Sequence, residues 1–559
     1  MDGGEQQRLM NERLKDEIKR NASLRRRRKK IRSIEREIDD PWPPCPEGIG
    51  IRPFSHIDID RPTGASPTPP NSNEQSESPY QNEFRRPNQS PHQVPSHDAD
   101  IADASSQPDF EPSLLMSYLD YAFPILFPFY KPSILEGGRS WLLTLALKHP
   151  AFYHNIVGLA AYFYCAVPVA PGPEHDACAV KAQIELRVQM EKAVQGVQDS
   201  LSRVTQAGIH NSLTENFHLL GNIAQLITFE VAFASSENWQ IHLNAAVSLF
   251  DQTLRHFSPY TRADSMMNTL LEKLRCNVPL NCSVWSADQA ALRFFTATII
   301  YQDVIASTTR EETPRLLTHH DGLLVGPNTP VPSQHLKLEN FIGCQTWVMR
   351  SIAKIASLCH WKKACKQAGS LDIVELVQRG TCIEHDLSEG IDRLTAKILP
   401  LPSLTEPGPY RPLETILAKS NIPHGSSSSN EEDHDTITLI WAYAAQVYLI
   451  TVLSGWQPRH VDLRRYVTQA LQHLRNLDNP AWLRTLAWPI CVTGSLATKE
   501  QEETFRQVAN VSGGLAMFGT LRDALAIMEK VWDQRDLHNP DTWDIASCLR
   551  ILGHNVLLV

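Results

Sequence analysis

The sequence runs to 559 residues, of which 42% are apolar and 8% aromatic, enough for one very large or two ordinary domains around a sizeable core. Its 53 lysines and arginines stand against 62 acidic residues, and a net charge of -9 excludes a surface that is a nucleic-acid footprint throughout, so any basic contact is local. The 11 cysteines are scattered, and the first residues are polar rather than a charged and then apolar leader, so an intracellular chain with reduced thiols is expected.

Residues 1–40 read as a basic N-terminal segment. Its centre is the unbroken run Arg25, Arg26, Arg27, Arg28, Lys29 and Lys30, while only Asp16, Glu17 and Glu35 are acidic between Leu14 and Arg36. Such a run serves as a nuclear import signal, as an arm that contacts DNA phosphates and gains affinity by counterion release, or as a solvated tail. Import is the preferred reading. Leu24, Ile31, Ile34 and Ile38 have the spacing of a coiled-coil seam, but the seam is too short to pair helices by itself. Residues 41–112 then shift to Pro, Ser, Asn, Gln and Asp. A stretch such as Ser66, Pro67, Thr68, Pro69, Pro70, Asn71 and Ser72 buries too little apolar area to offset the entropy of ordering, so a disordered linker is predicted.

From residue 113 the pattern becomes that of a packed body. Tyr118, Tyr121, Phe123, Phe127, Phe129 and Tyr130 form a proline-broken aromatic run that reads as core rather than as a ligand site. Gly138, Arg139, Trp141, Leu142 and Leu143 open a helix that ends near His149 and Pro150. After a loop at Pro168, Pro171 and Pro173, helical spacing predicts helices over 182–204, 215–233 and 238–256. His242 in the last of these is expected to be hydrogen-bonded or solvated rather than a ligand. Ser286 and Gln289 stand at capping-box spacing and start a helix over 286–307.

Further helices are predicted over 338–364, 371–399 and 437–453, the first holding Gly343, Cys344, Gln345, Trp347, Val348 and Met349. Residues 425–435 read as a polar loop. The segment 437–453 carries no charge, but it is shorter than the roughly 20 apolar residues that span a bilayer, so a buried core helix is expected. Two helices close the chain, over 521–532 and 543–552, and the apolar end Leu557, Leu558 and Val559 predicts a packed C-terminus. No strand-like alternation is sustained, so the predicted fold class is all-α.

The sequence lacks the common catalytic motifs: no Gly-x-Ser-x-Gly elbow, no His-Glu-x-x-His and no phosphate loop. A helical metal-dependent enzyme is the competing class. Its nearest acidic group, Glu431, Glu432, Asp433 and Asp435, reads as a solvated charge run. Cys276 with Cys282, and Cys359 with Cys365, do not have zinc-knuckle spacing and read as buried thiols. Gly513, Gly514 and Gly519 read as a turn.

Several elements, kept in order across residues 113–559, together resemble the fungal-specific transcription factor domain, the helical regulatory region that in fungi usually follows a zinc binuclear cluster. They are the aromatic entry with Gly138-Arg139-x-Trp141-Leu142-Leu143, then Trp239-Gln240-x-His242-Leu243-x-Ala245-Ala246. Ala442-Tyr443-Ala444-Ala445, Tyr448-Leu449 and Ser454-Gly455-Trp456-Gln457-Pro458 follow. The last set is Leu486, Ala487, Trp488, Pro489, Cys491, Gly494 and Ala497, then Leu521, Arg522, Ala524, Met528, Val531 and Trp532, then Trp543, Cys548, Leu549, Gly553 and His554.

The resemblance implies a large multi-helix regulatory domain, preceded by the linker and the basic segment, in a nuclear transcription regulator of a metabolic or secondary-metabolite gene set. Its implied partners are DNA, transcriptional co-regulators, a homo- or heterodimer partner and a small-molecule effector. No catalysis, cofactor or membrane contact is expected. The family's zinc cluster uses six thiolates, and only Cys45 precedes Cys165 here, so that cluster and its DNA-reading residues have no counterparts. Three explanations stay open. The chain reaches DNA through its arm or a cluster-bearing partner; it is a co-regulator that binds proteins only; or the gene model starts downstream of an exon that encodes the cysteines.

Overall fold

The structure is a computed structural model, and the residues described are 110–559 apart from 134–135, 167–172, 209–211, 233–237, 259–265, 276–284, 327–333, 399–426, 478, 512–519 and 538–541. The basic run 25–30, Cys276, Cys282 and the glycines 513, 514 and 519 lie outside the described residues. Those described are helical and contain no strand beyond an isolated bridge between Leu324 and Leu336.

In chain order the principal helices are α1 (Phe110–Ser117), α2 (Ser140–Lys148), α3 (Pro150–Ala166), α4 (Pro173–Ala207), α5 (Leu213–Ala232), α6 (Trp239–Phe257) and α7 (Met266–Lys273). There follow α8 (Ala287–Arg310), α9 (Thr346–Gln367), α10 (Ile373–Ile398), α11 (Ser427–Ser454), α12 (Val461–Arg475), α13 (Ala487–Ser495), α14 (Lys499–Val511) and α15 (Leu521–Asp533). A last short helix, Ile545–Leu549, precedes the C-terminal tail.

The axis of the body is α8. Every residue from Gln289 to Thr309 is buried, the condition of a helix surrounded on all faces. Its start is local chemistry: the Gln289 backbone N–H donates to Ser286 Oγ (3.2 Å) and the Ser286 N–H donates to Gln289 Oε1 (2.9 Å), the two bonds of a capping box. Helices α2, α5, α6, α9 and the last short helix pack directly on it. On one side Phe294 meets Phe127, Tyr130 and Trp141 at ring distances of 4.8, 4.9 and 5.1 Å, so the aromatic entry segment is core, as its composition implies, except Tyr121, which is 59% exposed. Each such ring removed from water contributes about 1.5–3 kcal/mol.

Helices α3 and α4 form an antiparallel hairpin, since Ala151 faces Gly196 while Gly158 faces Gln189. Helix α11 lies between α10 and α12 and also meets α9 and α13. Within it, His434–Ser454 is long and apolar enough to cross a bilayer, yet 83% of its apolar window is buried inside the body, which makes it a core helix.

Four of the expected segments take other bounds or another conformation. Helix α4 starts at Pro173 rather than in a loop, because a proline in the first turn removes no needed N–H. The helix expected over 338–364 is split into a turn, Glu339–Ile342, and α9: Gly343 takes φ 79° between them, and a Cβ there would stand 2.5 Å from the Phe129 ring. The loop expected over 425–435 is helical from Ser427. The closing helix shrinks from 543–552 to Ile545–Leu549, because the Asp544 carboxylate accepts from the Ser547 N–H at 2.8 Å and sets its start.

Candidate regulatory site

The C-terminal elements of the sequence resemblance converge where the C-terminal helices close on α8. Trp441 and Trp488 stack with ring centres 5.4 Å apart and planes 8° from parallel, and Tyr301 and Tyr448 meet this pair edge-on. Trp488 Nε1 donates to Thr308 Oγ1 at 3.0 Å, which fixes α13 to the last turns of α8. On the other side of α13, Trp532 Nε1 donates to the Gly494 carbonyl at 2.8 Å, and a side chain at 494 would overlap the Met528 sulfur. The carboxyl end of α13 is held by two guanidiniums: Arg464 donates to the Leu496 carbonyl at 3.2 Å and Arg535 to the Ala497 carbonyl at 2.9 Å. Cations belong there, because free carbonyls give a helix end its partial negative charge.

The tail is tied down by three side-chain donors from distant parts of the chain. Trp239 Nε1 donates to the Asn555 carbonyl (3.1 Å), Thr309 Oγ1 to Val556 O (3.2 Å) and Thr520 Oγ1 to Val559 O (3.2 Å). Val556, Leu557 and Leu558 are buried, as the apolar chain end leads one to expect.

An ionic node couples the end of α8 to α9 and to the last short helix. Glu311 caps α8 with a left-handed backbone, φ 60°, a conformation that side chains other than glycine and asparagine seldom take. Its carboxylate meets Lys363 and, at 3.1 Å, Arg550, while its carbonyl accepts from His360 Nδ1 at 2.9 Å. Lys363 also donates to Asp544 at 2.5 Å. Burial alone would raise the Asp544 carboxyl, but Lys363 and the Ser547 donors outweigh it and hold that carboxyl below its ordinary value.

Deeper in, Asp303 shows the opposite balance. One of its oxygens accepts from the Leu316 N–H at 2.9 Å and the other has no partner among the described residues, and burial pushes the carboxyl up to about 6. His320 is buried with both ring nitrogens unpartnered among the described residues, and desolvation followed by Arg350 lowers it to about 3. His149 falls to about 4 through burial and the neighbouring His218 ring, 4.0 Å away.

Asp435 corrects the solvated-run reading. It is 3% exposed, accepts from Gln345 Nε2 at 2.9 Å and pairs with Lys397 at 2.8 Å. Gln345 in turn accepts from Trp347 Nε1 at 2.9 Å, so this carboxylate ends a chain of bonds joining α9, α10 and α11. His242 has Glu230 3.8 Å from its Nε2. Cys344, Cys359, Cys491 and Cys548 are buried, and burial raises the Cys359 thiol to about 11, so it stays protonated. Among the described residues no group of three His, Cys, Asp or Glu side chains is arranged to hold a metal ion. Glu311, Lys363, Arg464 and Arg535 carry no local sequence signal, since their partners lie 32 or more residues away.

Comparison with known proteins decides what this body is. The profile of the fungal-specific transcription factor domain matches residues 113–559. This chain belongs to that family. Among its relatives, Transcription factor dibT of Pestalotiopsis microspora is 33% identical, over 100% of this chain and 93% of that protein. Pestheic acid cluster transcriptional regulator 3 of Pestalotiopsis fici is 24% identical, over 77% and 72%. Trichothecene biosynthesis transcription regulator TRI10 of Trichoderma arundinaceum is 25% identical, over 78% and 91%. No solved structure matches the chain. The fungal-specific domain here is thus a helical body, and the chain is a fungal transcription regulator.

Proposed function

We propose that this regulator acts in the nucleus on the genes for one secondary metabolite, without catalysis of its own. The observation that carries the reading is the 33% identity to a transcription factor along the whole chain, arm included. Two further relatives, one named for a metabolite cluster and one for a biosynthetic route, support the choice of target class. In this reading residues 113–559 are the regulatory module, 41–112 the linker, and Arg25, Arg26, Arg27, Arg28, Lys29 and Lys30 the import signal.

Whether the chain touches DNA itself is a second part of the proposal. In this reading the arm supplies phosphate contacts, which position a protein without reading bases, and base reading belongs to a cluster-bearing partner. Selection of the purified chain against a random DNA pool, across a salt titration, tests this. Weak binding that no sequence enriches and that salt removes is expected; enrichment of a defined motif would overturn it.

A further inference from the structure

Past the last short helix the chain is neither helix nor strand, yet Val556, Leu557 and Leu558 are buried. Their backbone is satisfied on one side only. The carbonyls of Asn555, Val556 and Val559 accept from Trp239, Thr309 and Thr520, whereas the N–H groups of Val556, Leu557 and Leu558 meet no acceptor among the described residues. The Val559 N–H reaches only the Leu557 carbonyl within the tail, at 3.1 Å. A buried N–H without an acceptor costs about as much as a lost hydrogen bond, and release into water would satisfy all of them.

The tail also has a fixed point and a pivot. Arg550 is held by the Glu311 carboxylate at 3.1 Å, and its carbonyl accepts from the Gly553 N–H at 2.9 Å. Gly553 then takes φ 88°, is exposed, and has open space where a side chain would stand. Beyond that pivot the three donors come from separate elements: Trp239 opens α6, Thr309 lies in the last turn of α8, and Thr520 directly precedes α15. They bond backbone carbonyls and none of the tail's side chains.

We propose that residues 554–559 are a releasable strap hinged at Gly553, and that the regulatory module has two states, one with the strap seated on Trp239, Thr309 and Thr520 and one with it released. Seated, the strap fastens the start of α6 to the end of α8 and the start of α15. Released, it leaves those elements joined by their own contacts alone. A segment with few backbone bonds belongs to the low end of local stability, from which switching elements are drawn. An input that favours one of the two states changes the regulator's output. The regulatory meaning of the strap rests on the reading of this chain as a transcription regulator; its opening does not.

The test treats the full chain carrying Val556→Cys with iodoacetamide under native conditions and reads each thiol by peptide mass spectrometry. Cys491, buried in α13, reports opening of the body. The thiol at 556 should be labelled at least about tenfold faster than Cys491. Adding Gly553→Ala strains the left-handed pivot without a clash, and should speed labelling at 556 about fivefold while leaving Cys491 unchanged. Equal protection of the two thiols, or equal acceleration of both, would overturn the proposal by making the tail a fixed part of the core.

Because Val556→Cys removes volume from the tail, a second measurement keeps valine at 556. Thr309→Val removes one bond, and should speed deuterium uptake over 554–559 about fivefold without changing α8. Unchanged uptake over the tail, or the same increase in α8, would also overturn the strap. In the fungus, Gly553→Ala should shift the transcripts that deletion of the gene shifts. Shifted transcripts in the deletion strain with none in Gly553→Ala would overturn the switch. No shift in either strain would contradict the regulatory reading instead, and the labelling still decides whether the strap opens.

Discussion

Trp488 donates its indole N–H to the hydroxyl of Thr308 at 3.0 Å, across 180 residues of sequence. This bond and the stack on Trp441 are where the C-terminal family elements meet the central helix. Trp488→Phe should keep most of the burial and lose the bond, at about 1 kcal/mol. Trp488→Ala should cost about 3–5 kcal/mol through the cavity it leaves. Urea unfolding followed by circular dichroism measures both, and an unchanged stability in Trp488→Phe would assign no role to the bond.

Gly494 has no room for a side chain. A Cβ would overlap the Met528 sulfur and stand 3.2 Å from Phe505 Cδ1, in an interface where Met528 is fully buried. Gly494→Ala should therefore destabilise by about 1–3 kcal/mol. Adding Met528→Ala should cost less than its effect in the wild type, since the two changes share one space. Strict additivity in a double-mutant cycle would contradict the contact.

Two opposed effects act at Glu311. Its left-handed backbone costs about 1 kcal/mol that glycine would not incur, while its carboxylate serves both Lys363 and Arg550. Glu311→Gly and Glu311→Ala should both fall below the wild type in denaturant unfolding. The alanine variant should be worse by about that 1 kcal/mol. A glycine variant more stable than the wild type would mean that the ionic node contributes less than the backbone strain costs.

The buried His320 makes stability depend on pH in a defined direction. Its folded value of about 3 lies below the ordinary 6.5, so between these the unfolded chain binds a proton that the native state does not. The stability present above pH 6.5 is then lost as the pH falls toward 3. Asp303 runs the other way: raised to about 6, it makes the native state less stable as the pH rises from about 4 to 6. His320→Leu should raise the melting temperature more at pH 5 than at pH 8. Asp303→Asn, which keeps an acceptor for the Leu316 N–H, should help more at pH 8 than at pH 5. The reverse pH preference in either variant would contradict the assignment.

Sequence legibility followed the range of the interactions involved. The start of α8 was legible because Ser286 and Gln289 satisfy each other within one turn. The packed C-terminus could be read from Leu557 and Leu558, but not the donors Trp239 and Thr309, which lie 316 and 247 residues from their acceptors. Asp435 looked solvated because its sequence neighbours are polar, whereas its partner Gln345 lies 90 residues away. Helix α12 does carry a local signal, since Leu463, Val467, Ala470, Leu471 and Leu474 repeat at helical spacing and are buried. The break at Gly343 depends on Phe129, and nothing near 343 announces it.

The most direct test of the regulatory account is the transcript profile of the producing fungus after deletion of this gene, compared with a strain in which Arg25, Arg26, Arg27, Arg28, Lys29 and Lys30 are replaced by alanine. The expected result is a changed level of one co-located set of biosynthetic transcripts in both strains, with the alanine variant excluded from the nucleus. An unchanged profile in the deletion strain under producing conditions would contradict the account.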